Sequence, residues 1–221
     1  MTSNDRSWSA LADRLGRETT PDQPTRWVEQ LWISAEQDEV DAPWDRTEPF
    51  PRIADAMGEL GSGDGRRAVV VGAALGADAE AAARAGWQTT AFDIAPAAVR
   101  LVRSRYPSSA VDYREGDLLN LPDDLVGAFD LVIEVFTVQA MPPAVRAEAT
   151  AGIRRLLAPG GTALVIQFDR GDEDSDVGPP WLLNRDEMET FAGDDVRMES
   201  IELLEGTRED TPIWFAQLRR D

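Results

Sequence analysis

Two hydrophobic periods alternate along most of the chain. Short apolar runs at 67–71, 89–92, 111–115, 129–135 and 162–168 read as buried strands. Between them, helical spacing predicts helices over 78–85, 96–106 and 143–157, with Pro96 at a first helical position that tolerates proline. Val69, Val70 and Val71 are β-branched and apolar on both faces, as a central parallel strand requires. Strands alternating with helices predict an α/β fold with a doubly wound, mostly parallel sheet. After 168 the pattern changes. An acidic loop over 170–178 leads to Gly178-Pro179-Pro180-Trp181. Asn184, with Glu187 three residues on, makes a capping box for a helix over 185–191. Two strand-like runs, 196–204 and 213–218, flank a short polar loop and predict a terminal antiparallel hairpin, for seven strands in all.

The N-terminal quarter is less regular. Trp8, Leu11 and Leu15 have helical spacing within 7–17, and the polar stretch 19–25 marks an exposed joint. A helix beginning at Trp27 carries Leu31 and Trp32, then gives way to an acidic loop ending in Pro43-Trp44-Asp45. A further helix over 50–60 is closed by the glycine turn 61–65. The tryptophans either fill a core or form a stacking lid over an aromatic or cationic ligand. The organisation expected is a polar extension over 1–26 with a short helix, and one domain over 27–221 whose segment 27–60 is a lid or cap.

The stretch 68–95 carries the chemistry. After the valine strand, Gly72 and Gly76 open a tight turn into a helix, and Asp93 ends the next strand about 20 residues later. A glycine turn at a helix N-terminus, followed at that spacing by an acid, is how α/β folds hold a nucleoside cofactor. Backbone approaches the ligand where no Cβ intervenes, and the carboxylate accepts hydrogen bonds from ribose hydroxyls.

Composition narrows the chemistry further. At 221 residues the chain is long enough for one domain with a sizeable core. Its net charge of -19 argues against a nucleic-acid partner, which needs clustered basic residues. All 22 basic residues are Arg, which reads as GC-rich coding, with adaptation to high salt as the alternative. The chain contains no Cys, His or Lys. That excludes disulfides, thiolate and Ser-His nucleophiles, Schiff bases and His- or Cys-ligated metals, and no metal site is expected. The N-terminus has no apolar signal region and no run approaches the ~20 apolar residues of a membrane span. The expectation is a soluble, cytoplasmic protein whose partner is a small molecule; the sequence leaves the oligomeric state open.

These blocks, in this order, resemble the class I S-adenosylmethionine-dependent methyltransferases, which have a Rossmann-like fold. Gly72-Ala73-Ala74-Leu75-Gly76 is similar to the family's glycine motif, Asp93-Ile94 to its ribose-binding acid and apolar neighbour, and Gly116-Asp117-Leu118 to the residues framing the adenine. The run 129–134 is similar to the fourth strand with its cofactor-facing end, and 157–161 to the turn before the fifth. Within the family, the chain most resembles the thiopurine, thiol and halide S-methyltransferase branch. Trp27 with Pro43-Trp44-Asp45, the Gly178-Pro179-Pro180-Trp181 loop, and the segment Glu134 to Arg146 carry that resemblance. It departs at Val70, at Ala74, where the family has glycine, and in the acidic insert 34–41.

The resemblance implies S-adenosyl-L-methionine as cofactor. Gly72, Ala74 and Gly76 would present backbone to its amino-acid part. Asp93 with Ile94 would hold the ribose, Asp117 and Leu118 would frame the adenine, and Trp27 and Trp44 would close over it. Glu134 would lie near the methyl donor, as a cofactor contact and as the one catalytic candidate, through orientation or charge rather than as a general base. Phe136, Arg146 and Trp181 would border the acceptor. Plainer readings stand beside these: Asp117 as an ordinary loop acid, Glu134 as a strand-end surface acid, Arg146 as a solvated helix residue, and each Trp as core packing. The activity implied is methyl transfer to a small thiol, sulfide or similar soft nucleophile, which needs little acid-base help. O- or N-transfer to a small metabolite is the alternative. An NAD(P)-dependent oxidoreductase, which would need glycine at 74, and a non-catalytic cofactor-binding protein stand lower.

Overall fold

The structure is a computed structural model that describes residues 7–20, 22–171, 177–193, 195–206 and 211–221. Three helices come first, α1 (Trp8–Arg17), α2 (Arg26–Glu36) and α3 (Pro51–Leu60). The alternating region follows: β1 (Arg67–Val71), α4 (Ala77–Arg84), β2 (Gln88–Asp93), α5 (Pro96–Arg105), β3 (Asp112–Glu115), β4 (Phe129–Val135), α6 (Arg146–Leu156) and β5 (Leu157–Phe168). The chain ends with α7 (Arg185–Glu189), β6 (Val196–Leu204) and β7 (Ile213–Arg220). Of the polar stretches singled out in the sequence, 1–6 of the extension, residue 21 of the joint, 172–176 of the acidic loop and 207–210 of the hairpin loop lie outside the described residues.

The seven strands form one sheet in the order β3-β2-β1-β4-β5-β7-β6. The first five are parallel and β7 runs antiparallel to both β5 and β6. The period-two alternation of β1 explains its central place. Val69 and Val71 pack on one face with Ile153 and Leu156 of α6, while Ala68 and Val70 pack on the other with Ile53 of α3 and Ala79 and Ala82 of α4. A strand buried on both faces has no polar side, which is why it reads as a continuous apolar run.

A third apolar cluster lies outside this sandwich. Ala12 of α1 and Trp27, Val28, Leu31 and Trp32 of α2 pack with Leu75, Ala95, Ala97 and Ala98. The N-terminal helices therefore sit over the glycine turn and the start of α5. The Glu29 carboxylate accepts a hydrogen bond from Ala97 N at 3.1 Å, and Glu36 forms a two-pronged pair with Arg100 at 2.6 and 2.8 Å. The first of these holds an orphan N–H in the opening turn of α5, which Pro96 starts without a donor of its own.

Three of the differences from the expected boundaries concern 158–161, 143–157 and 185–191. The predicted turn at 158–161 is part of β5: Leu157 already pairs with Phe129, and the register then shifts so that Leu131 pairs with Thr162. Gly160 at φ 73° absorbs that shift, and Gly161 has the backbone carbonyl of Phe129 where a Cβ would stand. The predicted helix 143–157 begins as a 3-10 turn, Pro143–Val145, before α6. The Asn184–Glu187 capping box is present as read, but α7 stops at Glu189.

Candidate functional site

The carboxyl ends of parallel strands are where doubly wound sheets bind ligands, at the point where strand order reverses. Here β1 is flanked by β2 on one side and β4 on the other. A cavity of about 700 Å³ opens over that edge. It is roofed by α1, α2 and the loop around Trp44, and runs from the ends of β2 and β3 to those of β4 and β5. That volume is within the range of small-molecule sites, ~300–1,000 Å³.

At the β2/β3 end the wall is made by Gly72, Ala73, Ala74, Asp93, Ile94, Gly116, Asp117 and Leu118. Gly72 has φ 62°, and a Cβ there would overlap the Thr137 side chain, whose hydroxyl donates to Val71 O at 2.9 Å. Ala74 keeps the left-handed conformation, φ 46°, that the family glycine would adopt freely. Its N–H donates to Asp93 Oδ2 at 3.0 Å, and Ala95 N donates to Oδ1 at 3.0 Å. Burial pushes the Asp93 carboxyl up and these backbone bonds pull it back. Asp117 accepts Leu119 N at 2.9 Å and so caps the 3-10 turn Leu118–Asn120.

The roof is aromatic. Trp8, Trp27, Trp32 and Trp44 all face the cavity, with Trp44 centred 5.0–6.2 Å from the other three rings. Trp27 is buried and its indole N–H donates to Ala140 O at 3.2 Å. The loop carrying Trp44 is clasped to α4 by Asp78, which accepts Arg46 Nη2 at 2.5 Å and Phe50 N at 2.8 Å. The N-terminal helix, polar in composition, has a place in this wall through Trp8, Ser9, Ala12 and Asp13.

At the β4/β5 end the wall changes character. Phe136 stacks on Phe168, with centroids 4.4 Å apart and planes at 14°, and Phe50 meets Phe136 edge-on at 5.5 Å. Pro179, Pro180 and Leu182 line the same region. Behind it runs a chain of buried polar contacts. Glu134 Oε1 accepts Thr137 N at 2.6 Å and Val138 N at 2.9 Å, and Oε2 accepts the Gln167 amide. Gln167 accepts Gln139 N at 3.2 Å, and Gln139 accepts Phe168 N at 2.7 Å. This network braces Phe136, held at φ 61°, and Phe168 together.

Nine of the sequence-derived site residues thus share one cavity: Trp27, Trp44, Gly72, Ala74, Asp93, Ile94, Asp117, Leu118 and Phe136. Four do not reach its wall. Gly76 caps α4 at φ 84°, and its missing Cβ makes room for the Tyr113 hydroxyl, so its role is packing. Glu134 is fully buried behind the wall, not exposed at a strand end, and burial pushes its carboxyl up to about 7. Its three hydrogen bonds position the loop after β4. Arg146 is neither solvated nor in the cavity: it is buried, pairs with Glu187, and donates to Trp181 O at 2.9 Å. Trp181 is turned inward, and the preceding Pro179 and Pro180 take the wall position expected of it.

Sequence reasoning missed Phe50, Arg46, Asp78, Gln139 and Phe168. Phe168 had a signal, since it ends the fifth strand as Phe136 follows the fourth. The glutamine network had none.

Residues 68–161 match a family of methyltransferase domains. The chain also has the fold of solved methyltransferases. A Burkholderia thailandensis 1,6-didemethyltoxoflavin-N1-methyltransferase, with S-adenosylhomocysteine bound, superposes with a TM-score of 0.71 at 16% identity, over 91% of each chain. The stretch that matches, residues 68–161, is similar to class I S-adenosylmethionine-dependent methyltransferase domains. Bradyrhizobium japonicum N-methyltransferase NodS, bound to S-adenosylhomocysteine, gives 0.65 at 19% identity over 87% of this chain and 97% of that one. A structure described for conversion of a disulfide bond into a thioacetal group in echinomycin biosynthesis gives 0.67 at 21% over 88% and 93%. Among curated relatives, a ubiquinone biosynthesis O-methyltransferase of Xanthomonas campestris is 37% identical over 109 residues, 48% of this chain and 44% of the relative. The chain thus spans less than half the length of the curated relatives it matches. These activities differ from one another, so the likeness of the methyltransferase domain fixes the fold and not the acceptor. None of these named relatives is a thiopurine or halide methyltransferase.

The cavity fits the family cofactor on three counts. The turn Gly72-Ala73-Ala74 brings backbone to its wall. Ile94 and Leu118 offer apolar surfaces beside the Asp93 and Asp117 carboxylates. Five aspartates and one arginine among its described lining residues suit a cation. No helix among the described residues is long and apolar enough to cross a membrane.

Proposed function

We propose that this protein transfers a methyl group from S-adenosylmethionine to a small-molecule acceptor, a thiol or similar soft nucleophile. The observation that carries the reading is the cavity over the β1/β4 switch, with the glycine turn and Asp93 at one end and an aromatic wall at the other.

When bound, S-adenosylmethionine supplies a methyl group already activated on a sulfonium. The chain's residues then bind, orient and exclude water. Asp93 and the turn Gly72-Ala73-Ala74 hold the nucleoside and amino-acid parts, Ile94 and Leu118 flank the base, and the tryptophan roof covers them. Holding two reactants in line is worth ~7–11 kcal/mol of barrier. Among the cavity's described lining residues, four of the five aspartates are already committed: Asp45 to Arg105, Asp78 to Arg46 and Phe50 N, Asp93 to Ala74 N and Ala95 N, and Asp117 to Leu119 N. The fifth, Asp13, is exposed on α1 in the roof. With no His, Cys or Lys in the chain, no uncommitted acid among the described residues stands at the aromatic end as a general base. A thiol, with its pKa near ~8.5, supplies its own nucleophile near neutral pH, where an alcohol does not.

An oxygen acceptor is the second reading, favoured by the curated relatives' O-methyltransferase names. The test is calorimetric titration with S-adenosylmethionine, followed by transfer assays on small thiols, phenols and amines. Thiols methylated fastest support the first reading, and phenols fastest replace it with the second. Absence of cofactor binding overturns both. The negative net charge and the apolar acceptor end support a small-molecule partner rather than nucleic acid, and a cytoplasmic location is part of the same proposal.

A further inference from the structure

We infer that the acceptor carries no carboxylate or phosphate and presents a flat aromatic ring to Phe136, Phe168 and Phe50. The inference rests on the methyl-transfer reading above and names the acceptor class for that same site.

Position is the first argument. The sheet order puts β2 and β3, with Asp93 and Asp117, on one side of β1, and β4 and β5, with Phe136 and Phe168, on the other. A ligand held at the first end leaves the second for its reaction partner. The rings there are more than filling. Phe136 and Phe168 are only half-buried, both line the cavity, and they lie nearly parallel at 4.4 Å, with Phe50 edge-on to Phe136 at 5.5 Å. Stacked and edge-on pairs at these spacings are arrangements that a third planar ring can extend.

Phe136 is also held at φ 61°, a conformation unusual for a bulky residue. Its N–H is tied to Ile166 O at 2.9 Å, and the two residues after it are tied to Glu134. Phe168 N is tied to Gln139. The two rings are therefore fixed from behind, as a preorganised surface requires.

Charge is the third argument. Among the described lining residues, Arg46 is the one cation, and Asp78 already pairs with it, against five aspartates. A carboxylate- or phosphate-bearing acceptor would meet net negative charge and is disfavoured.

The test avoids turnover. With S-adenosylhomocysteine bound, affinities are measured by calorimetry or ligand-observed NMR for thioanisole, methyl cyclohexyl sulfide and 4-(methylthio)benzoate. The saturated ring is the more hydrophobic of the first two, so preference for thioanisole reports the aromatic face. Thioanisole is expected to bind about two- to tenfold more tightly than the cyclohexyl compound per ring contact, and more tightly than the benzoate. Phe136→Leu and Phe168→Leu should each reduce that preference while leaving S-adenosylhomocysteine affinity unchanged.

Equal or weaker binding of thioanisole, tighter binding of the benzoate, or no binding of any probe overturns the inference while leaving the cofactor reading intact. A preference that survives in both leucine variants also overturns it. Should either variant fail to fold, the wild-type comparison of the three probes decides. Failure of S-adenosylhomocysteine itself to bind overturns the methyl-transfer reading and this inference with it.

Discussion

The two ends of the cavity are built on the same sheet edge and by opposite means. At the β2/β3 end the wall is backbone and carboxylate: a left-handed turn, Gly72 to Ala74, and Asp93 holding that turn through Ala74 N. At the β4/β5 end it is aromatic; Glu134 and Gln167 stand behind the wall and, with Gln139 in it, hold the loop after β4 and the end of β5. The first end shows its polar groups to a ligand; the second spends them on positioning rings. A nucleoside has hydroxyls and ring nitrogens to satisfy, whereas an apolar acceptor needs shape and dryness, so one scaffold serves both by turning its hydrogen-bonding groups inward or outward.

The largest effect should come from Asp93→Ala. Losing a carboxylate that faces the cofactor end and fixes Ala74 N and Ala95 N should weaken S-adenosylmethionine binding about 100-fold by calorimetry. Unchanged affinity would erase the distinction between the two ends.

Glu134 gives the next effect and tests the other end. Glu134→Ala leaves Thr137 N and Val138 N without their acceptor and should cost about 3 kcal/mol in denaturant unfolding. Glu134→Gln keeps an acceptor there and should retain most of the activity, a result that charge on the methyl donor would not allow. The pH dependence has a defined sign. The folded carboxyl sits at about 7 against 4.5 for the ordinary group, so the folded state keeps the proton longer. Stability from this group is full below pH 4.5 and is lost as pH rises to about 7, by about 3 kcal/mol in total. Asp93, also pushed up, adds to the same slope, and Glu134→Gln should remove only the Glu134 part.

Asp78→Ala removes the clasp between α4 and the loop carrying Trp44, leaving Phe50 N unpaired. A loss of about 1–2 kcal/mol and a several-fold rise in KM for both reactants are expected, because the roof and Phe50 touch both ends. The smallest effect belongs to Ala74→Gly. Relief of the left-handed alanine and the greater freedom of unfolded glycine nearly cancel, so stability should move by less than about 1 kcal/mol. Cofactor affinity should hold or improve. A marked loss would mean that the methyl group of Ala74 itself contacts the ligand.

The β2/β3 end of the cavity was far more legible in the sequence than the β4/β5 end. Its parts are local: Gly72, Ala74 and Asp93 belong to one strand–turn–helix–strand unit, and their spacing follows from that unit's length. β1 and β4 were likewise read to the residue, because runs buried on both faces have sharp apolar edges. Arg146 and Trp181 were misplaced because their partners are remote. Glu187 is 41 positions from Arg146, and Gln139 is 42 from Trp181; nothing in the local pattern says that the helix arginine will be buried against Glu187 or that the Trp181 backbone will bond Gln139.

The sequence alone determined the strand–helix alternation, the central place of β1, the left-handed glycine turn and the acid that faces it. Backbone sterics and hydrophobic periodicity act over a few residues and leave their mark in order. Only the tertiary structure decided which polar side chains face the ligand and which are turned into the wall. Glu134 and Asp93 both end apolar strands and both are buried, yet one opens on the cavity and the other is closed off by Thr137, Val138 and Gln167. That difference depends on what loops distant in the chain bring to each strand end, and no residue spacing encodes it.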